Sequence, residues 1–292
     1  MTAQLPKNVE TRPMVVLGAG TLGRRIALML ATQGAEVRLF DPAAKVREAG
    51  LDFIRDELPR VLASRSGGKA GHVVGADEME GALDNVWLAV EAVPEKLELK
   101  KKIFGDLDRL APSDAILASN SSSYPTSQFM DHVRKPERVL NTHFMMPPEM
   151  TSVEIMSSGA TDPEIIKLMV KALPKYGVTP YLVEKESIGF IFNRIWAAIK
   201  RESLSVVAEG VASPETLDAI YAQNFGLKEG PCRMMDKVGL DVVLAIEEHY
   251  ADENPNLPDA PRRLLKDMIE AGKLGVKNGR GFYDYQSDSQ AA

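Results

Sequence analysis

The stretch Met14–Gly23, M-V-V-L-G-A-G-T-L-G, decides the fold of this chain. It opens with a short apolar run rich in β-branched residues, which is typical of a buried parallel strand. Gly18, Gly20 and Gly23 then form the pattern G-x-G-x-x-G, and a helical pattern follows over residues 24–32. Strand, glycine turn and helix in this order predict a dinucleotide site, because the turn lets phosphates approach the free N–H groups at the helix N-terminus.

The glycine pattern by itself also occurs in ordinary turns, so the sequence that follows it matters. A second strand pattern, Glu36–Phe40, ends at Asp41. This acid stands in the window of about 20 residues where a carboxylate takes the ribose hydroxyls of a dinucleotide. Asp41 would repel a 2′-phosphate, which favours NAD over NADP. The nearby basic residues Arg38, Lys45 and Arg47 leave NADP open.

Composition narrows the class of protein further. The 292 residues are 45% hydrophobic and 26% charged, which predicts a globular chain with one large or two ordinary domains. The net charge of −6 argues against nucleic acid or an anionic membrane as a partner. The single cysteine, Cys232, excludes a disulfide within the chain and is more typical of a small buried residue than of a nucleophile. No apolar stretch resembles a secretion signal or a membrane span, so we expect a cytoplasmic protein, and we assign no metal ligands.

The chain changes character near Ser187. Before this residue, strand patterns alternate with helical patterns, which predicts a doubly wound α/β sheet. After it, the strand patterns stop, and a long apolar helical run from Ile188 to Val211 begins an all-helical region. We therefore predict two domains, residues 1–186 and 187–292.

Polar residues follow two of the predicted buried strands. Glu91 ends one strand pattern, over residues 85–90. The run Ser119–Ser123 follows another, Ala115–Ala118. Ligands of a doubly wound sheet bind beyond the carboxyl ends of its strands, so both places are candidates for binding a cofactor or substrate. The alternatives are a solvent-exposed strand end and a set of turn residues. The lysine run Lys100–Lys102 is instead predicted to be a solvated helix face.

One of the four histidines is a candidate for moving a proton. His143 ends a predicted buried strand at the edge where the cofactor is expected, and Glu154 lies on the next strand. If the two strands are neighbours, the carboxylate reaches one ring nitrogen and leaves the other free to take a hydroxyl proton. The alternative is a buried histidine satisfied by a structural carboxylate. The other histidines, His72, His132 and His249, are predicted to lie at the surface.

Taken together, these motifs resemble the 3-hydroxyacyl-CoA dehydrogenase family over nearly the whole chain. The resembling stretches are G-A-G-T-L-G (Gly18–Gly23), E-A-V-P-E (Glu91–Glu95), A-S-N-S-S-S (Ala118–Ser123), H-F (His143–Phe144), V-E-I (Val153–Ile155), G-F-I-F-N-R (Gly189–Arg194), V-G-L-D (Val238–Asp241) and G-R-G-F-Y-D-Y (Gly279–Tyr285). The resemblance implies a Rossmann-type NAD domain followed by a helical domain that often carries the contact of a homodimer. It also implies an NAD-dependent oxidoreductase of fatty acid metabolism that converts an L-3-hydroxy group into a 3-keto group.

The resemblance gives roles to individual residues. His143 resembles the family's catalytic base, and Glu154 resembles the acid that orients it. Ser122 resembles the serine that binds the substrate hydroxyl, and Asn193 resembles the asparagine near the substrate oxygen. Position and resemblance together predict a set of cofactor contacts, namely Gly18, Gly20, Thr21, Leu22, Gly23, Asp41, Glu91, Lys96 and Asn120.

Two departures from the family leave the substrate open. The family usually reads H-F-F-N-P after the base, whereas this chain reads H-F-M-M-P-P, with Met146 in place of asparagine. The stretch between Asp41 and Glu91 is short, with a glycine-rich loop around Lys69 where the family has a helical hairpin that contacts coenzyme A. The substrate is therefore a CoA thioester, or a free 3-hydroxy acid or small alcohol as in the related L-gulonate 3-dehydrogenase and carnitine dehydrogenase. A non-catalytic NAD-binding structural protein, as among the crystallin relatives, is the third hypothesis.

Overall fold

The computed structural model of the chain describes residues 3–285. These residues form two compact units that divide between Ile191 and Phe192. Every strand of the described residues lies in the first unit, and the second unit is built of helices. This confirms the predicted fold class, an α/β domain followed by an all-helical one. The domain limits 1–186 and 187–292 stay a prediction of where the two functional domains meet.

The first unit is built on an eight-stranded sheet. Its strands are β1 Met14–Leu17, β2 Glu36–Phe40, β3 His72–Ala76, β4 Leu88–Glu91, β5 Ile116–Ser119, β6 Val139–Phe144, β7 Ser152–Met156 and β8 Thr179–Val183. Its helices are α1 Thr21–Leu30, α2 Ala44–Ala63, α3 Met79–Ala82, α4 Leu97–Leu110 and α5 Pro163–Ala172. The strand order is β3-β2-β1-β4-β5-β6-β7-β8. The first six strands run parallel, β7 runs antiparallel to β6, and β8 runs parallel to β7.

The strand order reverses at β1, which pairs with β2 on one side and with β4 on the other. The connections leave these strands in opposite directions, which opens a crevice beyond the carboxyl ends of β1 and β4. The glycine turn Gly18–Gly23 follows β1, and Glu91 ends β4. The topology therefore brings both to the edge of the sheet where ligands bind in this class of fold.

Both faces of β1 are covered by apolar side chains. Val16 belongs to one buried cluster, together with Leu28 of α1. Val15 belongs to a second cluster on the opposite face, together with Phe104 of α4. A strand that is buried on both faces consists of consecutive apolar residues. The sequence therefore predicts this strand although apolar and polar residues do not alternate in it.

The stretch between β2 and β3 contains a single helix, as its short length predicts. Helix α2 is continuous through Pro59, and a loop over residues 64–71 leads from it into β3. The sequence pattern does not predict β3 itself, because none of the five side chains of this edge strand is fully buried. His72 begins β3 and is exposed.

The second unit has a small apolar core of its own. Its helices are α6 Phe192–Ala208, α7 Pro214–Phe225, α8 Pro231–Val238, α9 Leu240–Glu253 and α10 Ala260–Glu270. Leu204, Cys232 and Leu265 are fully buried in this core. The buried Asp236 accepts hydrogen bonds from the backbone N–H groups of Phe282 and Tyr283, so α8 holds the end of the described chain.

The predicted helical run from Ile188 is wrong over its first residues. Gly189 and Phe190 have φ angles of 74° and 55°, and these left-handed conformations are incompatible with an α-helix. Helix α6 therefore begins at Phe192, and residues 188–191 form a turn.

Across residues 3–285, no helix combines the length and the apolar character that a membrane span needs.

Cys232 is expected to be unreactive in the folded protein. Burial, and then the nearby Asp218 carboxylate, raise the pKa of its fully buried thiol, and the thiol rather than the reactive thiolate is therefore present at neutral pH. A thiol reagent such as DTNB should react with the protein at pH 8 after unfolding in urea and not before. Equal reaction rates with folded and unfolded protein would contradict this expectation.

Candidate active site

The glycine turn after β1 forms an open cradle. A Cβ atom at Gly18 would lie 2.5 Å from the carbonyl oxygen of Ala92, and one at Gly23 would lie 1.8 Å from the carbonyl oxygen of Gly18. A Cβ at Gly20 would meet nothing within 4 Å. Gly20 is also the N-cap of α1, and this helix N-terminus has no side-chain hydrogen bond at its cap. Two glycines thus close the turn, and the third leaves the room that a dinucleotide pyrophosphate needs.

Asp41, which follows β2, is hydrogen-bonded to the backbone of this cradle. Its Oδ2 accepts a hydrogen bond of 2.9 Å from the N–H of Ala19, and its Oδ1 accepts one of 2.9 Å from the N–H of Ala43. A carboxylate has about four acceptor positions, so two remain for ribose hydroxyls. The residues present therefore fit NAD, which the sequence also favours.

Adding a methyl group at Gly20 should separate folding from cofactor binding. Gly20→Ala is expected to leave the free energy of unfolding within about 0.5 kcal/mol of the wild type, because the methyl group meets no protein atom. The Kd for NADH should rise about tenfold or more, because the methyl group enters the space of the pyrophosphate. Gly81→Ala on α3 is the matched control, since its methyl group also meets nothing within 4 Å. Unchanged NADH affinity in Gly20→Ala would remove the cradle from the cofactor site.

The carboxylate of Glu91 turns inward rather than toward the crevice. It is fully buried, and it pairs with Lys100 Nζ at 2.8 Å. Its other oxygen accepts a hydrogen bond of 2.6 Å from Ser119 Oγ. Glu91 therefore joins β4, β5 and α4 through its side chain, and its contact with the cofactor stays a prediction. Lys100 has a side chain only 1% exposed, so the prediction of a solvated lysine face is wrong at this residue.

Glu95 extends this network to the serine loop. Lys100 Nζ also lies 3.0 Å from Glu95 Oε2. Glu95 Oε1 accepts hydrogen bonds from Ser121 Oγ and from the backbone N–H of Ser123. The two neighbours of Ser122 are thus held, while Ser122 Oγ itself makes no hydrogen bond with residues 3–285 and is half-buried. The loop presents one hydroxyl for an external partner. Sequence reasoning missed Glu95 and Lys100 as parts of the site, although the spacing E-x-x-x-x-K on a helix start was the available signal.

Asn120 and Lys96 have different surroundings. Asn120 Oδ1 accepts a hydrogen bond of 2.9 Å from the N–H of Phe144, which ties the end of β5 to the end of β6. Lys96 is the N-cap of α4, and its exposed side chain makes no hydrogen bond or ion pair with the described residues. Contact of either residue with the cofactor stays a prediction.

His143 and Glu154 form a buried pair. The antiparallel register of β6 and β7 sets the two residues directly opposite each other. Nδ1 of His143 lies 2.8 Å from Oε2 of Glu154, and the two residues are 6% and 3% exposed. Because the carboxylate accepts, this contact assigns the hydrogen of the neutral ring to Nδ1 and leaves Nε2 as the basic nitrogen. Nε2 makes no hydrogen bond within the described part of the chain. The contact that the sequence predicts is therefore present.

The turn before α6 closes over this pair. The ring of Phe190 lies 4.9 Å from the ring of His143, at an interplanar angle of 31°. The backbone N–H of Ile191 donates a 2.9 Å hydrogen bond to Glu154 Oε1. The left-handed conformation of Phe190 is unusual for a residue with a side chain, and such conformations cluster at functional sites. Sequence reasoning missed both residues, because a helical pattern hides a left-handed turn.

The segment after His143 is apolar and anchored. Met146 and Met150 are 37% and 45% exposed, so the residue that replaces the family's asparagine offers a thioether to solvent. Arg25 of α1 donates a 2.8 Å hydrogen bond to the carbonyl oxygen of Pro147. Asn193, the remaining predicted catalytic residue, is the second residue of α6 in the second unit and is half-buried. Within residues 3–285, no three His, Cys, Asp or Glu side chains lie together as a metal site requires.

Comparison with known proteins shows the same two-part organisation. Residues 13–187 match the family model described as 3-hydroxyacyl-CoA dehydrogenase, NAD binding domain. Residues 189–285 match the model described as 3-hydroxyacyl-CoA dehydrogenase, C-terminal domain.

Individual relatives align over almost their whole length. A probable 3-hydroxybutyryl-CoA dehydrogenase of Bacillus subtilis is 33% identical, over 95% of this chain and 99% of the relative. The 5-formyl-3-hydroxy-2-methylpyridine 4-carboxylate 5-dehydrogenase of Mesorhizobium japonicum is 30% identical, over 96% of this chain and 93% of the relative. The crystal structure of (S)-3-hydroxybutyryl-CoA dehydrogenase from Ralstonia eutropha superimposes with a TM-score of 0.84, at 29% identity, over 94% of this chain and 99% of that one. This chain therefore belongs to the 3-hydroxyacyl-CoA dehydrogenase family and is an NAD-dependent dehydrogenase that acts on a CH–OH group.

Proposed function

We propose that His143 is the proton acceptor in the interconversion of a 3-hydroxy and a 3-keto group, and that Glu154 orients it. The observation that carries this proposal is the buried 2.8 Å contact between His143 Nδ1 and Glu154 Oε2. A histidine held by a carboxylate through one ring nitrogen has the other nitrogen available as a base near neutral pH. The family membership supplies the reaction in which such a base is needed.

The residues act in sequence on one hydroxyl group. Nε2 of His143 takes the proton of the substrate hydroxyl as that oxygen becomes a carbonyl. Glu154 stabilises the imidazolium that forms, and the N–H of Ile191 keeps the carboxylate in place. Ser122 Oγ donates to the same oxygen from its fixed loop. The glycine cradle would hold NAD⁺, which would accept the hydride that leaves the carbon bearing this oxygen. The role that the family resemblance gives to Asn193, a donor to the substrate oxygen, belongs to the same proposal.

The proposal has two candidates for the substrate, a CoA thioester and a free 3-hydroxy acid. A CoA thioester is favoured by the name of the Bacillus subtilis relative. A free acid is favoured by the single helix α2 between β2 and β3, and by the Mesorhizobium japonicum relative, which is named for a pyridine carboxylate. The CoA thioester is our first candidate and the free 3-hydroxy acid the second.

Parallel assays with two substrates test both candidates. We expect NADH oxidation with acetoacetyl-CoA, acetoacetate, or both, measured at 340 nm. A kcat/KM higher for the thioester would assign the CoA substrate, and activity with acetoacetate alone would assign the free acid. If neither is reduced although NADH binds tightly, two explanations remain: a substrate outside these two, or the non-catalytic NAD-binding protein of the third hypothesis. The presence of Ser122, His143 and Glu154 together argues against the second explanation.

A homodimer formed through the helical unit is the assembly we propose. Three large apolar residues of this unit stand in solvent near the end of α7: Ile220 is 60% exposed, Phe225 is 68% exposed and Leu227 is 45% exposed. Burying such side chains against a second copy stabilises a dimer. Light scattering coupled to size-exclusion chromatography should give twice the monomer mass of 32.0 kDa. The variant Phe225→Asp should shift the measured mass toward that of the monomer. The cytoplasmic location stays a prediction.

A further inference from the structure

Two adjacent arginines of α1 rest on one aromatic ring. The guanidinium carbons of Arg24 and Arg25 lie 4.4 Å and 5.4 Å from the ring centroid of Phe53 on α2. Stacking on an aromatic ring holds a guanidinium in one orientation and keeps its N–H edge free for an acceptor. The pair therefore presents two positive charges at a fixed place on the first unit.

Arg25 connects this place to the segment that follows the base. Its Nη1 donates to the carbonyl oxygen of Pro147 at 2.8 Å and pairs with Glu149 Oε2 at 2.7 Å. Pro147 is four residues after His143 in the chain. The charge of Arg25 is thus compensated, and its bonds connect the arginine pair to the segment that follows His143.

Arg24 has no comparable partner. Its side chain makes no hydrogen bond or ion pair with any residue of the described chain, and its Nε is buried without an acceptor. A buried donor on a charged group that lacks an acceptor is unfavourable and calls for an explanation. The ring of Phe53 satisfies the face of the guanidinium and none of its N–H groups.

The carboxylates near the pair are already engaged. Glu149 pairs with Arg25 and also lies 3.8 Å from Arg60 of α2. Arg60 in turn pairs with Glu57. Arg25 and Arg60 thus occupy both carboxylates. The charge of Arg24 is left without a counter-ion, in a chain whose net charge is −6. An anion from outside the protein would balance this charge and accept the hydrogen bonds of Arg24.

We propose that Arg24 binds the anionic end of the substrate and so helps to determine its specificity. The ligand is an oxyanion, either the free carboxylate of a keto acid or a phosphate of CoA, since both accept paired hydrogen bonds from a planar guanidinium. This inference rests on the proposed function, because it assigns the group to the substrate of that reaction. Arg24 lies one helical turn after Gly20, and Arg25 links it to Pro147, so the anion would lie between the glycine turn and the segment after His143.

Replacing Arg24 with glutamine tests the proposal through KM. For the anionic substrate, we expect the KM of Arg24→Gln to rise about tenfold or more with kcat little changed, since the interaction is lost equally from the ground state and the transition state. The KM for the neutral ethyl acetoacetate and the Kd for NADH should stay at wild-type values. Arg55→Gln is the matched control, because Arg55 is an exposed arginine of α2 paired with Asp52.

Each outcome is decisive. A raised KM for acetoacetate assigns the carboxylate, and a raised KM for acetoacetyl-CoA alone assigns a CoA phosphate; both support the proposal. An unchanged KM for both anions, an equal rise for the neutral ester, or a weaker affinity for NADH would overturn it. If the wild type reduces none of these substrates, the proposed function fails by itself. Calorimetric titration of acetoacetate and of CoA into the enzyme–NAD⁺ complex then tests Arg24 without turnover: binding lost in Arg24→Gln supports the proposal, and no binding to the wild type overturns it.

Discussion

Replacing His143 with alanine is expected to lower kcat/KM by about 10²–10⁴-fold, the usual contribution of a general base. The variant loses the nitrogen that takes the hydroxyl proton, whereas the glycine cradle, which lies at the end of β1, is untouched. The affinity for NADH, measured by fluorescence titration, should therefore stay close to that of the wild type. Turnover within a factor of a few of the wild type would remove His143 from the mechanism.

Two further variants separate chemistry from folding. Alanine at His143 removes one contact of the buried Glu154, which keeps the hydrogen bond from the N–H of Ile191, so we expect a lower melting temperature beside the lost activity. His143→Asn keeps a polar side chain near Glu154 and should restore stability more than activity. His132→Ala, at an exposed turn histidine, is the matched control and should change neither quantity. Equal losses of activity in His132→Ala and His143→Ala would contradict the assignment.

The largest loss of stability is expected from Lys100→Met. The change removes the one positive charge that lies between Glu91 and Glu95, and it leaves the Glu91 carboxylate fully buried without its counter-ion. Breaking a buried pair in this way costs about 3–5 kcal/mol, because the remaining charge keeps its desolvation penalty. Urea unfolding followed by circular dichroism measures the change in the free energy of unfolding.

The same helix offers the control for this experiment. Lys102 is exposed, and Lys102→Met should alter the free energy of unfolding by no more than about 0.5 kcal/mol. The double variant Glu91→Gln with Lys100→Met removes both charges and should recover a large part of the loss. If Lys100→Met were as mild as Lys102→Met, the buried pair would not contribute as described. Because Glu95 holds the serine loop, the kcat of a folded Lys100→Met protein should fall as well.

The glycine turn is a part of the fold that the local sequence predicts correctly. Gly18 has φ +101°, and Gly18 and Gly23 are the positions where a Cβ would strike backbone atoms. These are steric demands of a few neighbouring residues, so the pattern alone predicts them correctly. The apolar run of β1 is equally informative, because a strand buried on both faces has no polar positions.

The lysine run on α4 shows that local sequence does not predict which residues of a helix are buried. Lys100, Lys101 and Lys102 look alike in the sequence, yet Lys100 is buried between two carboxylates and Lys102 is exposed. The difference arises because α4 packs one face against the sheet, and the end of β4 provides Glu91 at that depth. Which member of the run is buried therefore depends on helix orientation rather than on residue type.

The helical prediction for the segment before α6 is wrong for a different reason. Its apolar residues continue a helical pattern, but Gly189 and Phe190 adopt left-handed conformations. These conformations accompany two long-range contacts, the stacking of Phe190 on His143 and the hydrogen bond from Ile191 to Glu154. A pattern over neighbouring residues contains no information on partners that lie about 40 positions earlier in the chain.

The sequence by itself determined the Rossmann-type order of strand, glycine turn and helix, the preference for NAD through Asp41, and the pairing of His143 with Glu154 as a hypothesis. These features depend on steric rules and strand periodicity, which operate over a few residues. The tertiary structure alone decided that β6 and β7 are antiparallel neighbours in the register that sets His143 against Glu154. It also decided that Lys100 supports the serine loop and that Arg24 is left without an acceptor, because burial and charge pairing depend on which distant elements pack together.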